Sequence, residues 1–134
     1  MQTKTNENSL DEIIKCVVSG NLKRLEELVP GDPPIIPQFP LCGKWRKNIT
    51  LLHLASTYGS LTCIKFFLPK INVDSQTDDG WTALHCAASN RHQTSVELLL
   101  KNKANPNIYN SEKVSIYYLK LVPLHLASIN GSSD

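Results

Sequence analysis

Apolar residues recur along this chain at helical spacing, in short paired runs separated by polar breaks. Leu84, Ala87 and Ala88 stand at i, i+3 and i+4, and Val96, Leu99 and Leu100 repeat that spacing. Asp79-Gly80 ahead of them is a tight-turn signal, because glycine reaches positive φ without a Cβ clash. Thr82 is placed to cap the first helix by accepting hydrogen bonds from its free N–H groups. The unit therefore reads turn, short helix, break, longer helix. Neither helix can bury its apolar face alone, so neighbours are required.

The neighbours are present. Thr50-Leu51-Leu52-His53-Leu54-Ala55-Ser56 matches Thr82-Ala83-Leu84-His85-Cys86-Ala87-Ala88 at an offset of 32 residues, and Val122-Pro123-Leu124-His125-Leu126-Ala127-Ser128 matches it again 40 residues on. Pro123 falls at the first helical position, which tolerates the missing N–H. Three copies of Leu-His-x-Ala in register resemble the ankyrin repeat, with its Thr-Pro-Leu-His-x-Ala signature and period of about 33 residues. Ala104-Asn105-Pro106-Asn107 and, more weakly, Asn72-Val73-Asp74 resemble the family's Gly-Ala-Asp-Val-Asn. The resemblance covers about residues 48–131 well and the first 30 loosely. It implies an all-α ankyrin-repeat solenoid of stacked helix-turn-helix pairs with projecting turns.

Within that frame, residues 1–8 are expected to be a disordered start, and 9–134 the repeat domain. Ser9 with Glu12 reads as a capping box. Ile13, Cys16 and Val17 form one face; Leu22, Leu25, Leu28 and Val29 form the next, after Ser19-Gly20-Asn21. Residues 9–29 thus make a degenerate first repeat, suited to a polar cap of the stack. Residues 30–49 hold five of the eight prolines and predict a long, semi-extended loop, neither helix nor central strand. Ile35, Ile36, Phe39 and Leu41 suggest that part of it packs back on the helices. Residues 50–74 form a repeat whose second helix, Leu61 to Leu68, frays before Pro69. Residues 75–107 form the best repeat, with Arg91 and Lys103 in place of glycines that take left-handed conformations. Residues 108–121 are a turn insertion rich in β-formers, predicted as a hairpin or a short extra helix. Residues 122–134 hold an incomplete last repeat, as in a fragment of a longer array.

Composition narrows the chemistry. A net charge of +2 implies no global nucleic-acid or membrane field. No secretory signal is visible at the N-terminus, and no apolar run approaches the roughly 20 residues of a spanning helix. Four cysteines are too few for a disulfide scaffold, so the default compartment is the cytoplasm, or the nucleus. His53, His85 and His125 share one repeat position. Stacked helices would space them by roughly 10 Å, and Zn–N bonds of about 2.0–2.1 Å cannot span that. Cys86 fills the slot of Leu54 and Leu126, as a small buried hydrophobe would, whereas Cys42 lies in the long loop, where exposure would give it incidental reactivity and nothing near it marks it as catalytic. No phosphate loop, nucleophile elbow or carboxylate dyad is present, and no metal or cofactor is expected. Lys44-Trp45-Arg46-Lys47 is a short basic run, more often a solvated face than a nucleic-acid site.

The resemblance implies a non-catalytic protein-protein interaction module or scaffold. The alternative is a regulatory or targeting fragment of a larger protein, such as an enzyme, channel or ubiquitin-ligase adaptor. In the family, turns and first-helix ends between the fixed structural residues contact partners. Carried over, these positions are Asp78, Asp79, Trp81, Ser89 and Asn90, and one repeat earlier Ile49, Thr57 and Tyr58. Trp81, just before the cap, is expected to project from its turn; the alternative is that it lies flat over the neighbouring turn.

Overall fold

The computed structural model describes residues 2–111. Three helix pairs follow one another: α1 (Gln2–Ser19) with α2 (Leu22–Leu28), α3 (Leu51–Tyr58) with α4 (Leu61–Phe67), and α5 (Ala83–Ser89) with α6 (Gln93–Lys101). The first helices pack α1 on α3 on α5, and the second helices α2 on α4 on α6. This two-layer stack is what paired amphipathic helices require, since each apolar face is buried only by the next unit. Val17, Leu25, Leu52, Leu54, Ile64, Phe67, Leu84 and Leu99 fill it and are essentially inaccessible.

The cap chemistry agrees with the sequence. Thr50 and Thr82 each accept from the backbone N–H of the histidine three residues on, and each histidine's Nδ1 accepts from the threonine's own N–H. This reciprocal box satisfies two orphan donors at each helix start. Gly59 ends α3 at φ 68°, and Arg91 and Lys103 take φ 61° and 71° where the pattern called for glycine. A non-glycine residue there costs about 1–2 kcal/mol. The second helix of the 50–74 repeat ends at Phe67, with Leu68 as its cap.

Several expectations need correction. Helix α1 begins at Gln2, so residues 2–8 are helical and Ser9 lies inside the helix instead of capping it. The sequence before Ser9 contains neither Gly nor Pro, so nothing there stops the helix. Residues 30–49 are not a loop throughout: β1 (Ile36–Leu41) and β2 (Lys44–Ile49) pair antiparallel around Cys42-Gly43. Prolines 37 and 40 are tolerated because both strands of a two-stranded hairpin are edges. Among the described residues the architecture is accordingly a helical solenoid carrying one β-hairpin, not purely α. Ile36 and Leu41 are buried and Phe39 packs on the core, as expected, but Ile35 is exposed. The 108–121 insertion beyond residue 111, the last repeat at 122–134, and His125 with it lie outside the described residues.

Candidate protein-interaction face

The hairpin sits against the turn that precedes α5, and one side chain joins them. Arg46 is buried: its Nε donates to the Leu41 carbonyl at 2.8 Å and its Nη2 to the Cys42 carbonyl at 3.1 Å. Its Nη1 donates to the Asp79 carboxylate, and the guanidinium lies over the Trp81 ring at 4.1 Å. An arginine plane can pair with a carboxylate and stack on an aromatic face at once, which an ammonium cannot do.

The turn itself is closed by its own groups. Thr77 Oγ1 accepts from the Trp81 N–H at 3.0 Å and donates to Asp79 at 2.6 Å, and the Thr77 N–H donates to the Trp81 carbonyl at 2.9 Å. His53, whose Nδ1 already accepts, donates through Nε2 to that same carbonyl at 2.7 Å. The histidine of one unit thus holds the turn of the next. Complete burial drives the His53 pKa down to about 4, against the pull of the Trp81 and Ser75 carbonyls.

Two predicted contact residues are therefore not at the surface. Trp81 does not project; it is only 7% exposed, covered by Arg46 and tilted on the His85 ring at 5.6 Å. Ile49, the last residue of β2, is fully buried. Asp79 is half-buried and committed to Arg46. Asp78, Tyr58, Ser89 and Asn90 are exposed, and Thr57 is half-buried. Asp78 accepts from the Asn48 side chain, and its N–H donates to the Lys47 carbonyl at 3.1 Å. Thr57 and Asn90 meet at the hairpin tip, where Cys42 Sγ lies 3.8 Å from Thr57 Oγ1 and 3.5 Å from Asn90 Nδ2.

The exposed aromatic of this region is Trp45, at 67%. It lines a shallow groove of about 270 Å³ with Lys44, Arg46, Lys47, Asp78 and Asp79. Sequence reasoning placed the tryptophan contact at Trp81 and took 44–47 only as a basic run. The usable signal was Arg46 between Trp45 and Lys47: strand alternation turns one neighbour in and the others out. Among the described residues, no group of three or more His, Cys, Asp and Glu is placed to hold a metal, and no helix is long and apolar enough to cross a membrane.

The family described as "Ankyrin repeats (3 copies)" matches residues 13–110. Palmitoyltransferase ZDHHC13 of Mus musculus is 31% identical over 110 residues, covering 81% of this chain and 17% of its own length. Palmitoyltransferase ZDHHC17 of Rattus norvegicus is 27% identical over 116 residues, covering 85% of this chain and 18% of its own. Putative ankyrin repeat protein L91 of Acanthamoeba polyphaga mimivirus is 36% identical over 104 residues, covering 62% and 16%. The chain thus spans less than a fifth of the length of these relatives.

Proposed function

This chain belongs to the ankyrin-repeat family, and on that footing we propose that it is a non-catalytic protein-binding module acting in the cytoplasm or nucleus. The observation that carries the reading is the division of labour among its side chains. The polar residues of the signature, Thr50, His53, Thr82 and His85, are buried and spent on caps and turns. Large aromatics are left outside, Trp45 at 67% and Tyr58 at 46% exposure. Exposed tryptophan and tyrosine are the residues most often found as binding anchors. The contact face we assign runs from the Trp45–Asp78 groove to Tyr58, Ser89 and Asn90, with Trp81 and Ile49 as its support.

The test compares capture of cellular proteins by the immobilised chain and by its Trp45→Ala, Tyr58→Ala and Lys101→Ala variants. A partner retained by wild type and Lys101→Ala, and lost from Trp45→Ala, is expected; its affinity for Trp45→Ala falls at least about tenfold, or about 1.4 kcal/mol. Partners indifferent to both aromatic substitutions would move the face elsewhere.

A second reading is a targeting module of a larger protein. It is supported by the match to under a fifth of each palmitoyltransferase. The reading frame around this sequence, read from full-length transcript, decides between them.

A further inference from the structure

We propose that the groove between α6 and the chain leaving α4 is a second docking site, for an acidic peptide segment that carries a large aliphatic side chain. The groove measures about 570 Å³, a volume usual for ligand sites, and shares no residue with the face assigned above. Leu68, Ile71 and Val73, from the segment after α4, line it together with Leu98 of α6. All four pack on the core and stay partly accessible. Lys65 and Lys70 also line it, and both are exposed.

The groove is held in shape by its own hydrogen bonds. Pro69 has no N–H to carry α4 on, so the chain turns, and the N–H groups of Lys70 and Ile71 both donate to the Phe67 carbonyl, at 2.9 and 2.8 Å. Asn72 closes the next turn: its side-chain oxygen accepts from the Asp74 N–H at 2.9 Å and its carbonyl from the Ser75 N–H at 3.0 Å. Across the groove, the Asn102 amide donates to the Leu98 carbonyl at 2.8 Å at the end of α6. The Lys70 ammonium is itself placed, over the Phe66 ring at 5.1 Å. A site already ordered loses little freedom when it is filled.

Charge selects the occupant. No aspartate or glutamate occurs from Pro33 to Val73, and none lines the groove. Among the described residues neither Lys65 nor Lys70 is in an ion pair. Asp74, the next acid along the chain, is committed to the Asn105 N–H at 2.8 Å. Carboxylates brought by a partner therefore meet two cations and no charge of their own sign, and an aliphatic side chain between them covers the Ile71 and Leu98 surface. A membrane, the other anionic surface, is flat and touches what projects; here the apolar side chains, Pro69 apart, are half-buried while the lysines stand out.

A random-peptide library displayed on phage and selected on the immobilised full chain should return sequences in which acidic residues flank leucine, isoleucine or methionine. A dye-labelled synthetic peptide of that consensus, followed by fluorescence anisotropy, should bind Lys65→Gln and Lys70→Gln each about two- to fivefold more weakly than wild type, the range for an exposed ion pair. The double variant Lys65→Glu, Lys70→Glu should lose at least about tenfold, and wild-type affinity should fall as salt is raised. Ile71→Ser should weaken binding without changing that salt dependence. Trp45→Ala and Tyr58→Ala should bind the peptide as wild type does, which separates this site from the aromatic face. A consensus lacking acidic residues, undiminished binding to the double variant, or loss of binding in Trp45→Ala would overturn the proposal. So would phosphatidylserine vesicles that sediment wild type but not the double variant, with no acidic peptide selected. Circular dichroism melts check that each variant is folded; should Ile71→Ser unfold, the exposed lysine variants decide the matter.

Discussion

Trp81→Ala is the substitution that best separates a packing role from a binding role at the turn before α5. Trp81 is only 7% exposed, and three groups depend on its indole. Arg46 stacks on one face at 4.1 Å, the His85 ring meets it at 5.6 Å, and the backbone on either side is held by Thr77 and His53. Truncating a buried tryptophan costs about 3–5 kcal/mol through lost transfer energy and the cavity left behind. The stacked guanidinium adds about 0.5–2 kcal/mol, the range for a cation over an aromatic face. A loss of at least 3 kcal/mol should lower the melting temperature of a chain this size by about 10 °C or more. Trp45→Ala is the matched control, exposed at 67%, and surface substitutions of that kind stay within about 0.5 kcal/mol. Urea unfolding followed by circular dichroism measures both without relying on tryptophan emission. Fluorescence adds an independent reading: the emission left in Trp81→Phe comes from Trp45 and should lie at the red, water-exposed limit. A Trp81→Ala midpoint equal to wild type would refute the burial argument and return Trp81 to the surface.

Leu84→Ala, at 1% exposure between the stacked first helices, should cost about 2–5 kcal/mol in the same urea titration. Because the folded-state pKa of His53 is depressed to about 4, the unfolded chain binds its proton first as pH falls; that contribution is whole above about pH 7 and drops by about 2 kcal/mol by pH 5, a slope that His53→Gln should flatten. Asp79→Asn should destabilise more than Arg46→Met, because it leaves a buried guanidinium without its carboxylate, whereas the half-exposed Asp79 can turn to water; thermal melts of the two variants give the order.

The helices were legible because their signals are local. Thr82 and His85 lie three residues apart, and the box they form needs nothing from outside the turn. The left-handed backbone at Arg91 and Lys103 was legible by register against glycines elsewhere in the pattern. The hairpin was not, because its prolines argue against a strand unless it has a free edge on each side, and edge status is a property of the sheet. Trp81 was misplaced for the same kind of reason. Its own neighbours, Gly80 and Thr82, describe a projecting turn; Arg46, from the hairpin, covers it. The candidate face inherited that error, so Tyr58, Asp78, Ser89 and Asn90 stay at the surface while Trp81 and Ile49 do not.

The hairpin does more than fill the gap between two repeats; it starts the hydrogen-bonded edge along which the turns are joined. The Asp78 N–H donates to the Lys47 carbonyl at 3.1 Å, and the Ser111 N–H donates to the Asp79 carbonyl at 2.8 Å. Lower in the stack, the Asn105 N–H donates to Asp74 Oδ1 at 2.8 Å. Each turn thus borrows its acceptor from the unit before it, and the first acceptor on this edge belongs to β2. An irregular loop could present one carbonyl by chance, but a strand presents it at a fixed register, set by the pairing of Gln38 with Lys47 and of Phe39 with Arg46. Arg46 adds a side-chain link in the same place, reaching Asp79 and Trp81 while its other nitrogens hold the Leu41 and Cys42 carbonyls of the hairpin tip. The β-hairpin and the turn before α5 therefore share one buried cation, and whatever shifts the tip shifts the surface on which Trp45 and Asp78 are displayed.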